Sequence, residues 1–503
     1  MTSPTAPTVP RVSPLARFPR LAALRDPLIV LLAASVTMMS RLWEGDLHRD
    51  EVLYAAVAKG IVASGDWLNL AIGDTPYWRK PPLMFWLTAG LYEAFGVSVF
   101  TAKLCSALFG VLSCLVLYFI ARRLFNGRVA LIAALVLATT PRFVRTASTF
   151  RLDTAVTLFT LTSVYYYIRA VAEPRWRHFV GAGASWGLTV MAKGAFGIIG
   201  PYVVLIYLAV QRQLHVVRSR GFLVSVLVAA AVCLPWHLYE LAHWGSDFLR
   251  TYLGQEVVDR MTGELWGGTI PATFGAYGVD FVKDAWPWLV FMAGGLLYAL
   301  VRAHRGDRNA LFVACWALGY MLLLYVSQGR RARYLVPVYP PLAMLAALAI
   351  DRLLPERWQP FVPRVAAGGF AAAGIALVLL PIPLHSEAAR PFRALQPIVR
   401  LVSPDPAIPL SGFRTSGLQT RASSIFYLDR DLHPRGIGEL RRDPDAIVLT
   451  HVTHRRRLRR KGFRPIAVEG EYVLMRSPPA ISRGDRPSRS GEGHRTDREA
   501  ADR

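Results

Sequence analysis

The sequence predicts an all-α polytopic membrane protein of about eleven transmembrane helices, followed by a small C-terminal soluble α/β domain. Three observations lead there. Of the 503 residues, 53% are hydrophobic and only 18% are charged, against about 25% charged in soluble domains. The apolar residues fall in runs close to the ~20 residues that a helix needs to cross a bilayer. Arginine-rich turns alternate with other turns along the chain, as they do in an oriented multi-span protein. The same composition excludes an ordinary cytosolic enzyme, and its apolar content excludes disorder over most of the length.

Residues 1–26 are expected to form a cytoplasmic leader. The first span, near 27–43, is followed at once by charge and by no small-residue cleavage site, so it is no cleavable signal peptide. Residues 44–99 form the first long polar loop. In it Asp50 and Glu51 precede Val52, Leu53, Ala56, Val57 and Ala58, which places acid at the start of an amphipathic helix ending near Gly65. Residues 81–96 are apolar but open with two prolines and hold Glu93, which suits an interfacial helix rather than a span. Spans are then expected near 100–121, 128–141, 151–169, 178–191, 194–210 and 221–241. A second polar loop, 242–284, precedes spans near 285–301, 309–327, 334–350 and 365–383, which complete a transmembrane domain over 27–383. Residues 384–476 are expected to form the α/β domain, with strands at 446–450 and 472–475 and either strand or helix at 425–428. Residues 477–503, rich in Arg, Ser, Gly and Pro, read as a disordered tail.

The net charge of +24 comes from 58 basic residues, of which six are lysines. A basic chain suggests nucleic acid in a soluble protein. In a polytopic membrane protein it fits membrane lipids and phosphate groups instead, and no nucleic-acid partner is expected. Segments 1–25, 122–128, 169–177, 212–220, 302–308 and 352–364 each carry at least three arginines and no lysine, which marks them as cytoplasmic. Loops 44–99 and 242–284, the turns 142–151, 192–193 and 328–333, and the C-terminal domain then share the outer face. Cys105, Cys114, Cys233 and Cys315 all lie in apolar runs and read as packing residues.

On that outer face the sequence gathers Asp50, Glu51, Arg79, Lys80, Arg151, Asp153, Lys193, Arg260 and Arg331. Charges at span ends are costly unless they line a cavity or reach water. This set suits a lipid-anchored phosphate held by Lys and Arg while a carboxylate accepts a proton from an attacking hydroxyl. The phosphate leaving group then needs no acid, because cations stabilise its charge. Each residue also has a plain reading: Asp50 as a helix cap, Arg and Lys as snorkelling anchors, Asp153 and Arg151 as a local ion pair. Order, spacing and sidedness together favour the chemistry.

Asp50-Glu51-x-x-Tyr54, Ser64-Gly65-Asp66-Trp67 and Pro76-Tyr77-Trp78-Arg79-Lys80-Pro81-Pro82-Leu83 open a series of landmarks. Arg151-Leu152-Asp153, Ala192-Lys193-Gly194, Arg260-Met261-Thr262-Gly263 and Arg331-Ala332-Arg333-Tyr334-Leu335-Val336-Pro337 continue it, the whole covering about residues 43–345. The series resembles the bacterial undecaprenyl-phosphate aminoarabinose transferases, which stand with the protein O-mannosyltransferases in the GT-C class of integral membrane glycosyltransferases. The resemblance implies a GT-C fold, a polyprenyl-phosphate-linked sugar donor, and a lipid or glycolipid acceptor such as lipid A. It also implies inversion at the anomeric carbon, in a multi-pass protein of the bacterial inner membrane with a periplasmic active site. By resemblance, Asp50 is the catalytic base or acceptor-orienting acid, with Glu51 beside it and Asp153 a second acid bordering the cavity. The resemblance also implies that Lys80, Lys193 and Arg260 contact the lipid phosphate and that Tyr54, Tyr77 and Tyr334 stand near the donor; Arg79 and Arg331 are expected, from their own charge, to add phosphate contacts.

Two positions depart from the family. Arg79 stands where members often carry Glu before the lysine, and Val257 where they often carry His three residues before the arginine. Those two places are associated with zinc in the relatives; a cation and an apolar group are not ligands, so no metal is expected there, while a divalent cation elsewhere stays open. His237 and His243, six residues apart, make no ligand pattern. The basic run at 454–461 reads either as a solvated helix between two strands or as a contact for anionic glycolipid. Two rivals remain: a protein O-mannosyltransferase-like enzyme acting on exported polypeptide, and a lipid-linked sugar flippase. The flippase would favour charged residues in broken spans and inverted repeats, and no repeat is seen.

Overall fold

The structure is a computed structural model that describes residues 19–40, 42–259, 274–326, 332–379, 390–405, 408–415 and 417–479. Contacts divide the chain into two units, 1–389 and 390–503.

In the first unit, α1 (Pro19–Met39) leads to α2 (Asp50–Ser64). Gly65, at φ 71°, ends α2 by returning its N–H to the Ile61 carbonyl, a left-handed cap that glycine adopts without Cβ strain. The short pair β1 (Ala71–Ile72) and β2 (Thr75–Pro76) carries the chain to α3 (Leu83–Phe95), which begins after two prolines and is too short for a span. Both expected loop helices are therefore present. Next comes α4 (Val99–Leu124), opened by a reciprocal capping box between Ser98 and Thr101. Ser98→Ala should lower the unfolding free energy by about 1 kcal/mol, read as a small drop in Tm of the purified protein in detergent.

The helices that follow are α5 (Gly127–Thr139), α6 (Pro141–Ala147), α7 (Asp153–Ala172), α8 (Trp176–Lys193), α9 (Ile199–Val210) and α10 (Arg220–Leu249). A π-helical segment, Arg250–Val258, extends α10. After it stand α11 (Phe274–Ala285), α12 (Leu289–His304), α13 (Arg308–Val326), α14 (Tyr339–Leu353) and α15 (Val362–Leu379). Among the described residues six helices are long and apolar enough to cross a membrane, or up to eight if each of two bent pairs counts as one span. Eleven spans are expected from the sequence; by length and composition the described helices supply six to eight, because 176–210 counts once and α1 and α15 do not qualify. Taking 176–210 as two has a physical basis. A side chain added to Gly197 would strike Val190, and one on Gly200 would strike Trp186, so α9 folds back along α8 across the turn at Gly194.

Burial sorts the helices. In the span 333–353, 89% of the apolar window is buried, against 11% in 220–258. Helix α14 is apolar all round and central, packed by α5 and α12, whereas α10 leaves most of its apolar surface for lipid.

The two ends of the bundle differ in the way the arginine pattern predicts. At one end Arg128 pairs with Asp351 and Gln359, Asn309 Nδ2 donates to the Leu124 carbonyl at 2.7 Å, and Gln211 Nε2 donates to Asn309 at 2.9 Å. Those contacts join four of the arginine-bearing turns. Lys103 and Ser106 lie near the other end of α4, ~30 Å away at 1.5 Å per residue, and there the candidate site assembles.

The second unit runs α16 (Arg390–Val402), β3 (Leu410–Phe413), α17 (Leu418–Ser423), β4 (Leu432–Pro434), α18 (Ile437–Arg442), β5 (Ile447–His451), α19 (Val452–Arg459), β6 (Arg464–Glu469) and β7 (Tyr472–Arg476). Its sheet has the order β4-β3-β5-β7-β6; β3 is parallel to β4 and β5, and β7 antiparallel to β5 and β6. Phe413, Leu440, Val448, Leu458, Phe463, Val473 and Met475 form its core. Segment 424–428 is helical, not a strand. The basic run occupies α19 and the turn after it, between β5 and β6, with Leu458 turned inward. Of the expected disordered tail, residues 480–503 lie outside the described residues.

Candidate active site

The site is built around the start of α2. Arg49 holds φ 46° and ψ −111°, a backbone state that costs a non-glycine residue about 1–3 kcal/mol, and it turns the chain so that Asp50 and Glu51 open the helix. Arg151 donates to Glu51 at 3.2 Å and lies 3.5 Å from Asp50 Oδ2, while Arg333 also pairs with Asp50. The two acids differ in access: the Asp50 side chain is 25% exposed and that of Glu51 5%. Asp50 can meet an incoming molecule, whereas Glu51 serves to orient Arg151. Burial pushes the Glu51 carboxyl above the ordinary carboxylate range, against the pull of Arg151 and Lys103.

Helix α4 braces this arrangement. Lys103 is fully buried and donates to the Glu44 carbonyl at 2.9 Å. Ser106, one turn on, donates to the Arg151 carbonyl at 2.9 Å and accepts from the Arg151 N–H at 3.0 Å. The loop before Asp50 and the residue that holds Asp50 are thus pinned to one rigid element.

A second ion pair stands where α7 begins and α8 ends. Asp153 and Lys193 meet at 2.5 Å, both nearly buried. The Lys193 ammonium also lies 3.9 Å from the Phe196 ring centre and 4.9 Å from that of Tyr334, cation–π contacts that help offset its desolvation. Gly194, at φ 58°, makes the turn; a Cβ there would stand 2.7 Å from Tyr252 Oη.

A third pair joins distant loops. Lys80 bonds Glu256, with the side chains 11% and 7% exposed, and also donates to the Arg79 carbonyl at 2.9 Å. Tyr252, four residues before Glu256, bonds His237 Nε2 at 2.8 Å, and His237 Nδ1 meets the Cys233 carbonyl at 2.7 Å. That carbonyl only accepts, so Nδ1 carries the proton and Tyr252 donates to Nε2.

Tyr54 and Tyr77 connect the clusters. Both pack on Phe85 of α3, with ring centres 5.7 and 5.9 Å apart, and burial raises both phenols above their ordinary range. The fields of Asp50, Arg333, Arg151 and Asp153 reach Tyr54, and those of Glu256 and Asp50 reach Tyr77. Tyr334 packs on Phe196 at 5.1 Å, with Arg333 5.8 Å from its ring centre.

Asp50, Glu51, Asp153, Lys193, Lys80, Tyr54, Tyr77 and Tyr334 are therefore brought together, and Arg79 stands exposed beside them, its charge reaching Tyr77. Arg260 and Arg331 lie outside the described residues. The local pair of Asp153 with Arg151 is not formed: Asp153 turns to Lys193, and Arg151 to the acids of α2. Sequence reasoning passed over Arg333, Glu256, Phe196 and Lys103. Arg333 stood inside a recognised motif, and Lys103 was one of only six lysines; Glu256 and Phe196 gave no signal.

The zinc associated with the relatives does not fit here. Arg79 and Val257 offer no ligand, the nearby Glu256 is engaged by Lys80, and among the described residues no three His, Cys, Asp or Glu side chains converge. The arrangement can instead place an accessible carboxylate beside several cations. A phosphate could be held there next to an acceptor oxygen.

Residues 79–239 match the family model described as dolichyl-phosphate-mannose-protein mannosyltransferase. An undecaprenyl phosphate-alpha-4-amino-4-deoxy-L-arabinose arabinosyl transferase 2 of Pseudomonas fluorescens is 30% identical over 312 residues, 60% of this chain and 52% of that protein. The corresponding transferase of Pseudomonas aeruginosa is 29% identical over 313 residues, 61% of this chain and 56% of that one. The chain thus spans about half the length of the curated relatives it matches. Among solved structures, ArnT from Cupriavidus metallidurans bound to undecaprenyl phosphate aligns with a TM-score of 0.75 at 20% identity, over 89% of this chain and 97% of that one. The Archaeoglobus fulgidus oligosaccharyltransferase aligns with a TM-score of 0.54 at 15% identity, over 85% of this chain and 68% of that one. At these identities the structural likeness speaks for the fold, which is the GT-C fold expected. In sequence the chain is similar to the aminoarabinose transferases, and in fold it matches ArnT.

Proposed function

We propose that the chain is a polyprenyl-phosphate-sugar-dependent glycosyltransferase of the bacterial inner membrane, with its active site on the periplasmic side. One observation carries the reading: the accessible Asp50 carboxylate, held by Arg151 and Arg333, is grouped with the Lys80 and Lys193 ion pairs at one end of an apolar helix bundle. The arginine-bearing turns occupy the opposite end, which by the positive-inside rule is cytoplasmic. The donor is an undecaprenyl-phosphate-linked sugar, a choice supported by the names of the relatives, and the acceptor is lipid A or another envelope glycolipid, as the family resemblance implies.

The acceptor oxygen attacks the anomeric carbon from the side opposite the lipid phosphate. A carbon–oxygen bond forms, the bond to the phosphate oxygen breaks, and the configuration inverts. Asp50 takes the proton of an acceptor hydroxyl. The phosphate leaves as an anion, its charge stabilised by Lys80 and Lys193 with Arg79, Arg260 and Arg331. Asp153 keeps Lys193 in place, and Tyr54, Tyr77 and Tyr334 wall the donor side.

The test is reconstitution of the purified chain with undecaprenyl-phosphate sugars and lipid A. Release of undecaprenyl phosphate with a matching mass gain on the glycolipid is the expected result. A mass gain on polypeptide instead would favour the O-mannosyltransferase-like reading. Movement of the lipid-linked sugar across proteoliposomes with the sugar–phosphate bond intact would overturn transfer altogether.

A further inference from the structure

We propose that Glu256 competes with the carrier phosphate for Lys80, and so sets how tightly the lipid carrier is held and how readily it leaves. The inference rests on the reading of Lys80 as a phosphate contact. The ion pair is formed between loops 176 residues apart in sequence, with both side chains nearly buried. A carboxylate oxygen presents to an ammonium the same charge-assisted acceptor that a phosphate oxygen does. Glu256 therefore occupies on Lys80 the place that the carrier's phosphate must take.

The carboxylate is delivered there by design of the segment that carries it. Tyr252 is anchored to His237 at 2.8 Å and stacks on Phe248, ring centres 5.1 Å apart and planes 11° from parallel. Its hydroxyl reaches the Lys193 turn only because residue 194 is glycine. One tether thus links the Lys193 cluster to the segment that neutralises Lys80. Binding of phosphate at Lys80 has to displace Glu256 from a held position rather than from free solution.

The two lipids that visit the site differ in charge. The donor is a phosphodiester with one negative charge; the carrier left after transfer is a monoester of charge about −1.5 to −2. A cluster of cations alone would hold the product harder than the donor. A carboxylate ready to reclaim Lys80 offsets that bias and speeds release, the step that limits turnover in many enzymes.

The experiment measures undecaprenyl phosphate binding to the purified full chain in detergent, together with steady-state transfer, for the native protein and for Glu256→Gln, Glu256→Asp and Lys80→Ala. Glu256→Gln should bind undecaprenyl phosphate about tenfold more tightly, the worth of one charge-assisted bond, with KM and kcat falling together. Glu256→Asp, which keeps the charge on a shorter arm, should fall between. Lys80→Ala should weaken binding. If Lys80→Ala weakens binding while neither Glu256 variant tightens it, the competition is overturned and Lys80 remains a phosphate contact. If Lys80→Ala leaves binding unchanged, the phosphate reading of Lys80 fails and the competition fails with it.

Discussion

Asp50→Asn leaves a folded protein that still binds the lipid carrier and transfers sugar about 10³-fold more slowly. The substitution keeps the shape of the side chain and removes its capacity to take a proton, a contribution worth about 10²–10⁴ in rate. It also removes the negative charge between Arg151 and Arg333, so the loss covers both the base and the anchor of the acceptor. Carrier affinity should stay within about twofold, because Lys80 and Lys193 belong to separate ion pairs. Glu51→Gln is the comparison that gives the result meaning. Glu51 is buried and acts through Arg151, so its loss should cost about tenfold in kcat and be partly restored by Glu51→Asp. Turnover by Asp50→Asn within tenfold of native, at unchanged Tm, would remove Asp50 from the chemistry.

The features legible in the sequence are those fixed locally. The acid pair at the start of α2 and the glycine at its end marked that helix, because caps and charge near a helix terminus are short-range signals. The alternation of arginine turns anticipated which ends meet, and Arg128 with Asp351 and Asn309 with Leu124 now join those turns. What the pattern could not show is which partner a charge selects across the fold. Arg151 and Asp153 are two residues apart yet face different neighbours, since one precedes α7 and the other opens it. Arg333 pairs with Asp50 from 283 residues away, and nothing in the motif Arg331-Ala332-Arg333 indicates that partner. Such choices are settled by packing, and they decide the site.

Packing also supplies the largest structural effect expected. Gly295→Ala should destabilise the protein severely, while Gly294→Ala, one residue earlier in α12, should be harmless. A Cβ on Gly295 would stand 1.9 Å from the Leu345 carbonyl oxygen and 2.4 Å from its carbon. Both are backbone atoms of α14, so no side chain can swing aside. In a membrane, helix pairs gain their stability from such close backbone approach, and small residues permit it. Ala346, Ala347 and Ala349 line α14 nearby and are buried, so the two helices meet with little between them. Accommodating one methyl group would force them apart by more than an ångström along the contact. Overpacking of well-packed cores costs about 1–3 kcal/mol where side chains can adjust, and here they cannot. Gly294 faces open space with nothing within 4 Å of an added Cβ, and there alanine gains up to about 1 kcal/mol of helix propensity. Thermal unfolding of both purified variants in detergent decides the matter: a large fall in Tm, or loss of folded protein, for Gly295→Ala beside an unchanged or raised Tm for Gly294→Ala. Equal behaviour of the two would mean that α12 and α14 do not touch through Gly295. Since α14 follows directly on the turn that carries Arg333 and Tyr334, a Gly295 variant that still folds should also lose transfer activity, by shifting the residues that hold Asp50.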